Sequence, residues 1–226
     1  MDVSVILAAY NEAATIADVV RLSRESAPGV GEVIVVDDGS TDATAALASQ
    51  AGARVLRLPQ NRGKGAAIRH GIAHARGEVL AFLDADGQDD PREIPRLFEA
   101  LRPGVDMVVG SRFLGHFDEG AITPLNRAGN LFLTGVANAL FGARLTDTQA
   151  GFRAVRRAAA ERCRLTADRY DIEVDLLLGV LRSGGRVVEV PVRRMPRRHG
   201  KSGLRSIRDG ARILARILRK RLGPRG

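Results

Sequence analysis

Tryptophan is absent from the 226 residues, aromatic side chains make up only 4%, and Cys163 is the single cysteine. So few aromatics leave little on which the bases of single-stranded nucleic acid could stack. A lone cysteine forms no internal disulfide, which fits a reducing compartment. No stretch approaches the roughly 20 continuous apolar residues that cross a bilayer. The best candidate, Leu131 to Phe141, is interrupted by Thr134, Gly135 and Asn138 and reads as a core or interfacial helix. The N-terminus runs directly into Val3-Ser4-Val5-Ile6-Leu7 with no basic leader or cleavage site, so a cytoplasmic protein is expected.

Several motifs are missing as well. No Gly-x-Gly-x-x-Gly follows the first apolar run, which argues against a dinucleotide-binding domain, and there is no Gly-x-Ser-x-Gly elbow. The four histidines and Cys163 show no metal-ligand spacing, so zinc has no support. Gly200-Lys201-Ser202 mimics the end of a phosphate-binding P-loop, but Met195 stands where that motif requires glycine.

What is abundant is arginine, and it is unevenly placed. From Arg182 onward, 15 Lys and Arg face two acids, Glu189 and Asp209, for a net +13; the first 181 residues carry 20 basic against 24 acidic residues, net −4. An Arg-rich composition explains the choice of arginine but not its gathering in one fifth of the chain. The asymmetry points to an anionic partner: nucleotide phosphates, a phospholipid surface or nucleic acid. The acidic front half argues against nucleic acid.

With 45% apolar residues, the chain suffices for one sizeable α/β domain, or for a domain plus a short appendage. Short β-branched runs alternate with helical patterns. Strands are expected at Val3–Ala8, Val33–Val36, Arg54–Leu58, Val79–Leu83, Met107–Gly110 and Val187–Val192. Helices are expected at Glu12–Ser26, Thr41–Ala51 and Gly63–Ala75, with Ser40 as an N-cap, Gly52 and Gly77 as C-caps, and Pro91 opening another. This rhythm implies a mainly parallel sheet flanked by helices, with ligands beyond the carboxyl ends of the strands. The residues that follow those strands are Tyr10-Asn11-Glu12, Asp37-Asp38-Gly39-Ser40 and Asp84-Ala85-Asp86. Five carboxylates on one rim repel one another unless a cation, a ribose hydroxyl or a base N–H is their partner.

Seven segments in order carry a family resemblance. They are Ala9-Tyr10-Asn11-Glu12, Val35-Val36-Asp37-Asp38-Gly39-Ser40-Thr41-Asp42, Asn61-Arg62-Gly63-Lys64-Gly65, Asp84-Ala85-Asp86-Gly87-Gln88-Asp89-Asp90-Pro91, Gly110-Ser111-Arg112, Gln149-Ala150-Gly151-Phe152-Arg153 and His199-Gly200-Lys201-Ser202. From Val3 to about Leu204 the chain resembles a family 2 inverting glycosyltransferase of the GT-A fold, most closely the polyprenyl-phosphate (dolichol-phosphate) mannosyl- or glucosyltransferases. Two departures are Ala8, where many relatives have proline, and Asp89, where a histidine often follows Gln88. The resemblance implies a GT-A domain over 1–203, and the periodicity of the remaining 204–226 reads as a basic amphipathic helix.

The resemblance also implies roles. Asp37 and Asp38 accept hydrogen bonds from the base and ribose of a nucleotide-sugar, GDP-mannose or UDP-glucose, with Ala9, Tyr10, Glu12 and Ala85 bordering the pocket. Asp86 and Gln88, with Asp84 touching ribose or metal, hold Mg²⁺ or Mn²⁺, for which oxygen ligands are suited. Lys64 reaches the nucleotide, or is an ordinary lysine at a helix start. Arg112 and Arg127 bind the phosphate of a lipid acceptor. A phosphomonoester needs no general base, since its second pKa of about 6 leaves it anionic near neutral pH, whereas a hydroxyl acceptor needs one. Arg153 matches the same need for cations and is grouped with the donor pocket, as are Lys201 and Ser202 in a basic loop, Arg193 to Ser202, that closes over the diphosphate.

Three matters stay open at the level of sequence. Glu173 or Asp175 is either the base of a related enzyme with a soluble hydroxyl acceptor, or a helix N-terminal acid favoured by the dipole. A sugar-nucleotide sensor without activity is a remote alternative, disfavoured by the intact Asp84–Gln88 segment. In the tail, Ile207, Ala211, Leu214, Leu218 and Leu222 share one helical face opposite Arg205, Arg208, Arg212, Arg216 and Arg219. That face packs either on its own domain or on an anionic membrane, which would make the protein peripheral on the inner face.

Overall fold

The computed structural model describes residues 2–197, 199 and 206–223. Lys201 and Ser202 lie outside them. The β-branched runs form β1 (Val3–Ala9), β2 (Val30–Asp37), β3 (Arg54–Arg57), β4 (Val79–Asp84), β5 (Met107–Phe117), β6 (Arg153–Arg156) and β7 (Val187–Arg194). They make one sheet in the order β3-β2-β1-β4-β6-β5-β7. Neighbours are parallel except at β6, which is antiparallel to both β4 and β5.

Both faces are covered, which is why the central strands are apolar on alternate and intervening residues alike. Val3, Val5, Leu7 and Ala9 of β1 face one core, built with α1 (Ile16–Glu25), α2 (Thr44–Gln50) and α4 (Ile94–Ala100). Ile6 faces the other, built with α3 (Lys64–His74), α6 (Arg157–Glu161) and α7 (Ile172–Arg182). A third cluster joins α5 (Pro124–Phe141) and α8 (Ser206–Leu222) to α7, through Leu133, Ala137, Val174, Leu178, Ile213 and Ile217.

Some local expectations are corrected. Ser40 does not cap α2, which starts at Thr44; its hydroxyl accepts the Asn11 N–H at 2.9 Å, while Asp42 accepts the Thr44 N–H at 3.0 Å. Gly77 is not a left-handed cap either. A Cβ there would lie 2.5 Å from the Ser4 nitrogen, so glycine permits close backbone approach. Gly52, with φ +91°, is the left-handed residue after α2. Strand β6 adds to those expected from the sequence, and β5 runs on to Phe117 instead of ending at Gly110.

The pairing register brings the acidic strand ends together. Ala9 pairs with Asp37, and Ala8 with Asp84. The carboxyl ends of β1, β2 and β4 therefore form one rim, where a mainly parallel sheet binds its ligands.

Candidate active site

A cleft of about 790 Å³ opens over that rim. Its walls include Ala9, Tyr10, Asp38, Lys64, Asp84, Ala85, Asp86, Gln88 and Arg112, all expected from the sequence. Asn61, Gln149, Arg169, Tyr170, Glu173, Arg194 and Arg197 also line it.

The two aspartates after β2 have different surroundings. Asp37 is fully buried; it accepts the Ser40 N–H at 2.9 Å and pairs with Arg57 at 3.2 Å. It lies outside the cleft lining and shapes the turn beneath it. Asp38 lines the cleft and accepts the backbone N–H groups of Arg62 and Gly63, each at 2.8 Å. Burial raises its pKa, partly offset by those donors. Asn11 adopts φ 55° in the facing turn, where its side-chain oxygen accepts the Thr41 N–H at 2.9 Å.

Lys64 owes its position to flanking glycines. Gly63 has φ +99°, and a Cβ on Gly65 would sit 2.4 Å from the Ala167 carbonyl oxygen. The 167–168 segment can thus press on the start of α3, where the Asp168 carbonyl accepts the Gly65 N–H at 3.0 Å. Lys64 then bridges Asp84 at 2.5 Å and Glu173 at 2.6 Å. Burial disfavours the ammonium, but the two carboxylates outweigh it and hold the Lys64 pKa above its ordinary value. In the same way Lys64 and Arg194 override burial and hold Asp84 well below the usual carboxylate range.

Asp86 and Glu12 are the other half of the acidic rim. Burial raises the pKa of both, and the neighbouring Asp84 adds to the rise at Asp86. One Arg197 guanidinium spans them, with Nη2 at 2.8 Å from Asp86 and Nη1 at 3.0 Å from Glu12. Arg194, at the end of β7, reaches Asp89 at 2.5 Å, Gln88 at 3.0 Å and Asp84 at 3.3 Å. The departure at Asp89 thus has a partner: it supplies the counter-ion for a buried arginine.

Among the described residues, no three acids, histidines or cysteines converge into a ready-made metal cage. The donor chemistry nonetheless fits a hard divalent cation. Mg²⁺-type sites commonly use one or two carboxylates and complete their shell with substrate phosphates. Asp84, Asp86 and the Gln88 side-chain carbonyl are oxygen donors of that kind, but each now faces a cationic side chain, Lys64 and Arg194 at Asp84, Arg194 at Gln88 and Arg197 at Asp86, which a cation would have to displace.

Across the cleft, Arg112 follows the buried part of β5 and is chelated by Asp147, Nε to Oδ2 at 2.7 Å and Nη2 to Oδ1 at 2.8 Å. Arg127 does not line the cleft. It is exposed on α5, with its guanidinium 5.7 and 5.8 Å from the ring centres of Phe113 and Phe117, and Phe117 lines the cleft. Arg153 is displaced from the expected donor pocket. It is buried at the start of β6, where its guanidinium donates to the carbonyls of Glu173, at 2.6 Å, and Ala150. Burial lowers its pKa to about 10.

Asn61 opens a segment already prominent in the sequence, and Tyr170 stands three residues before Glu173. Arg194 and Arg197 could be read only as part of a basic run; nothing local pairs them with acids more than a hundred residues earlier.

Residues 4–164 match glycosyl transferase family 2. Glycosyltransferase AglJ of Haloferax volcanii is 34% identical over 220 residues, which cover 96% of this chain and 71% of that protein. Polyprenol monophosphomannose synthase of Mycolicibacterium smegmatis is 34% identical over 83% of this chain and 75% of its own length. Dolichol-phosphate mannosyltransferase of Pyrococcus furiosus is 30% identical over 91% of this chain but 60% of its own length. Among solved structures, glucosyl-3-phosphoglycerate synthase of Mycobacterium tuberculosis, in complex with Mn²⁺, UDP-glucose and phosphoglyceric acid, superposes with a TM-score of 0.77 at 25% identity, over 99% of this chain and 80% of that one.

Proposed function

The chain belongs to glycosyl transferase family 2, and from that premise we propose that it moves a hexose, with inversion, from a nucleotide-sugar to a polyprenyl-type phosphate. The donor is GDP-mannose or UDP-glucose. Asp38 and Tyr10 border the nucleoside, and Asp84, Asp86 and Gln88 would hold Mg²⁺ or Mn²⁺ against its diphosphate. When bound, the cation neutralises charge on the departing nucleoside diphosphate.

The observation that carries the acceptor assignment is the state of the acids. Glu173, the nearest candidate for a general base, is held at 2.6 Å by Lys64, and Asp175 pairs with Lys220 at 2.8 Å. Asp147 is committed to Arg112. Just outside the cleft lining, beside the Phe117 ring, Arg127 has no acid partner among the described residues. A site with engaged acids and an available cation suits a nucleophile that is already ionised. An acceptor phosphate oxygen attacks the anomeric carbon opposite the leaving diphosphate; one C–O bond forms, the other breaks, and no proton passes to the protein. Arg112 directs N–H groups at that phosphate, and Arg127 adds uncompensated charge. In a soluble-acceptor reading, Glu173 would have to leave Lys64 to act.

A lipid acceptor requires contact with a membrane. No helix of the described residues is long and apolar enough to cross one. Instead, exposed apolar side chains collect on two adjacent helices: Leu125, Leu131 and Phe132 on α5, and Ile207, Leu218 and Leu222 on α8. Ile207 and Leu222 are 82% and 84% exposed, with exposed Arg208, Arg219 and Arg221 beside them. Helix α8 therefore has two apolar faces, Ile213 and Ile217 on the domain and the second outward. We assign the outward face to an anionic leaflet on the cytoplasmic side.

The test is transfer of label from a panel of sugar nucleotides, with Mn²⁺ or Mg²⁺, into solvent-extractable product. Product that depends on added short-chain polyprenyl phosphate supports the reading; label that reaches only soluble acceptors overturns it.

A further inference from the structure

We propose that Asp147 is a positioning residue, one that aims Arg112 at the acceptor phosphate; this rests on the phosphate-acceptor reading above. Asp147 is fully buried and spends both carboxylate oxygens on Arg112. Its Oδ2 also accepts the backbone N–H of Arg112 at 3.2 Å. A guanidinium chelated through Nε and Nη2 cannot turn about its own stem. Its remaining N–H groups, two on Nη1 and one on Nη2, therefore keep a fixed direction. The side chain is 13% exposed and lines the cleft.

Asp147 is itself held from behind. Glu189, on β7, accepts the Asp147 N–H at 2.9 Å and the Thr146 N–H at 2.8 Å. It also accepts the Thr146 hydroxyl at 3.0 Å, and that hydroxyl meets the Ser111 hydroxyl at 2.6 Å. The residues preceding both members of the Arg112–Asp147 pair are thus tied to each other. Burial raises the Glu189 pKa, and the charge of Asp147 adds to it, so this second acid stands behind the first at an energetic cost. Buried ion pairs seldom add stability over apolar side chains of similar volume. Their presence here is accounted for by what they fix, the direction of one arginine at the cleft wall.

The arrangement divides labour between the two arginines. Asp147 balances the charge of Arg112, which then contributes directed hydrogen bonds more than net charge. Arg127, over the rings of Phe113 and Phe117, contributes charge without a partner acid among the described residues.

Calorimetric titration with geranyl phosphate, and with geraniol as control for the chain alone, tests the assignment. Wild type binds the phosphate and not the alcohol. Asp147→Asn, close to isosteric, and Arg112→Lys each weaken phosphate binding about ten- to a hundredfold, the worth of a charge-assisted hydrogen bond. The double variant is no worse than Arg112→Lys alone, and affinity for nucleoside diphosphate stays within about twofold, as expected when only one interaction is lost. Should Asp147→Asn not fold, Glu189→Gln carries the test, with the same selective loss at smaller size. Wild-type-like phosphate binding by Asp147→Asn, or parallel loss of nucleotide affinity, overturns the positioning role alone. Failure of wild type to bind geranyl phosphate overturns the acceptor reading and this assignment with it.

Discussion

The guanidinium of Arg197 joins Asp86 to Glu12, at 2.8 and 3.0 Å, across the rim where three strands deliver their carboxylates. If Asp86 holds the divalent cation as proposed, Arg197 and the cation compete for one carboxylate. Arg197→Gln is expected to bind Mn²⁺ about tenfold more tightly without nucleotide, as befits removal of one competing ion pair. Electron paramagnetic resonance of free Mn²⁺ reads this directly. Unchanged affinity would mean that Arg197 and the cation do not compete.

Removal of Asp86 should have the opposite effect. Asp86→Ala is expected to lower transfer roughly a hundred- to a thousandfold, the usual loss when one electrostatic partner of the developing charge goes. The fold should survive, because burial and the charge of Asp84 already disfavour the Asp86 carboxylate. Initial rates and a thermal melt separate the two effects.

Lys64 is expected to matter for stability as well as for the site. Lys64→Met leaves Asp84 and Glu173 facing each other without their shared cation, at a cost of about 3–5 kcal/mol for breaking a buried pair. The sign of the pH dependence follows from the two shifts. Asp84, held low, contributes stability that is full above its ordinary pKa of 3.8 and lost as pH falls towards its folded value. Lys64, held high, contributes stability that is full below 10.5 and lost only as pH rises through its folded value. Denaturant titrations between these limits should show a contribution from the pair that does not vary with pH. A loss centred near neutrality would contradict the assignment.

The outward face of α8 yields a prediction about membranes. Ile207→Ser with Leu222→Ser should reduce flotation with phosphatidylglycerol vesicles about tenfold or more, since each side chain withdraws apolar area worth roughly 1.5–3 kcal/mol when fully buried. Binding to neutral phosphatidylcholine vesicles should be weaker from the start and less sensitive to salt. Equal binding of the double variant and wild type would assign that face elsewhere.

Much of this site was legible in the sequence, because parallel strands end in register and the residues after them must meet. That reasoning identified Asp38, Asp84 and Asp86 at one rim. It failed where placement depends on long-range contact. Arg153 reads as a phosphate ligand because its guanidinium matches the need for cations; only the antiparallel position of β6 between β4 and β5 takes it into the core. Asp37 and Asp38 are equivalent by composition, yet the turn consumes one and presents the other. Arg197 meets Asp86 across 111 residues, a pairing no local pattern records. On α8, Ile213 and Ile217 are as apolar as Ile207 and Leu222, so periodicity alone could not say which face the domain covers.

An acceptor that arrives already ionised, as proposed, needs no protein base. The most direct test is transfer by wild type and Glu173→Gln to a polyprenyl phosphate and to the corresponding polyprenol. Label is expected in the phosphate only, with Glu173→Gln within about tenfold of wild type, below the roughly 10²–10⁴-fold loss typical of a removed general base. Label in the alcohol, or its loss with Glu173→Gln, would contradict a phosphate acceptor and make Glu173 the base of a hydroxyl-directed enzyme.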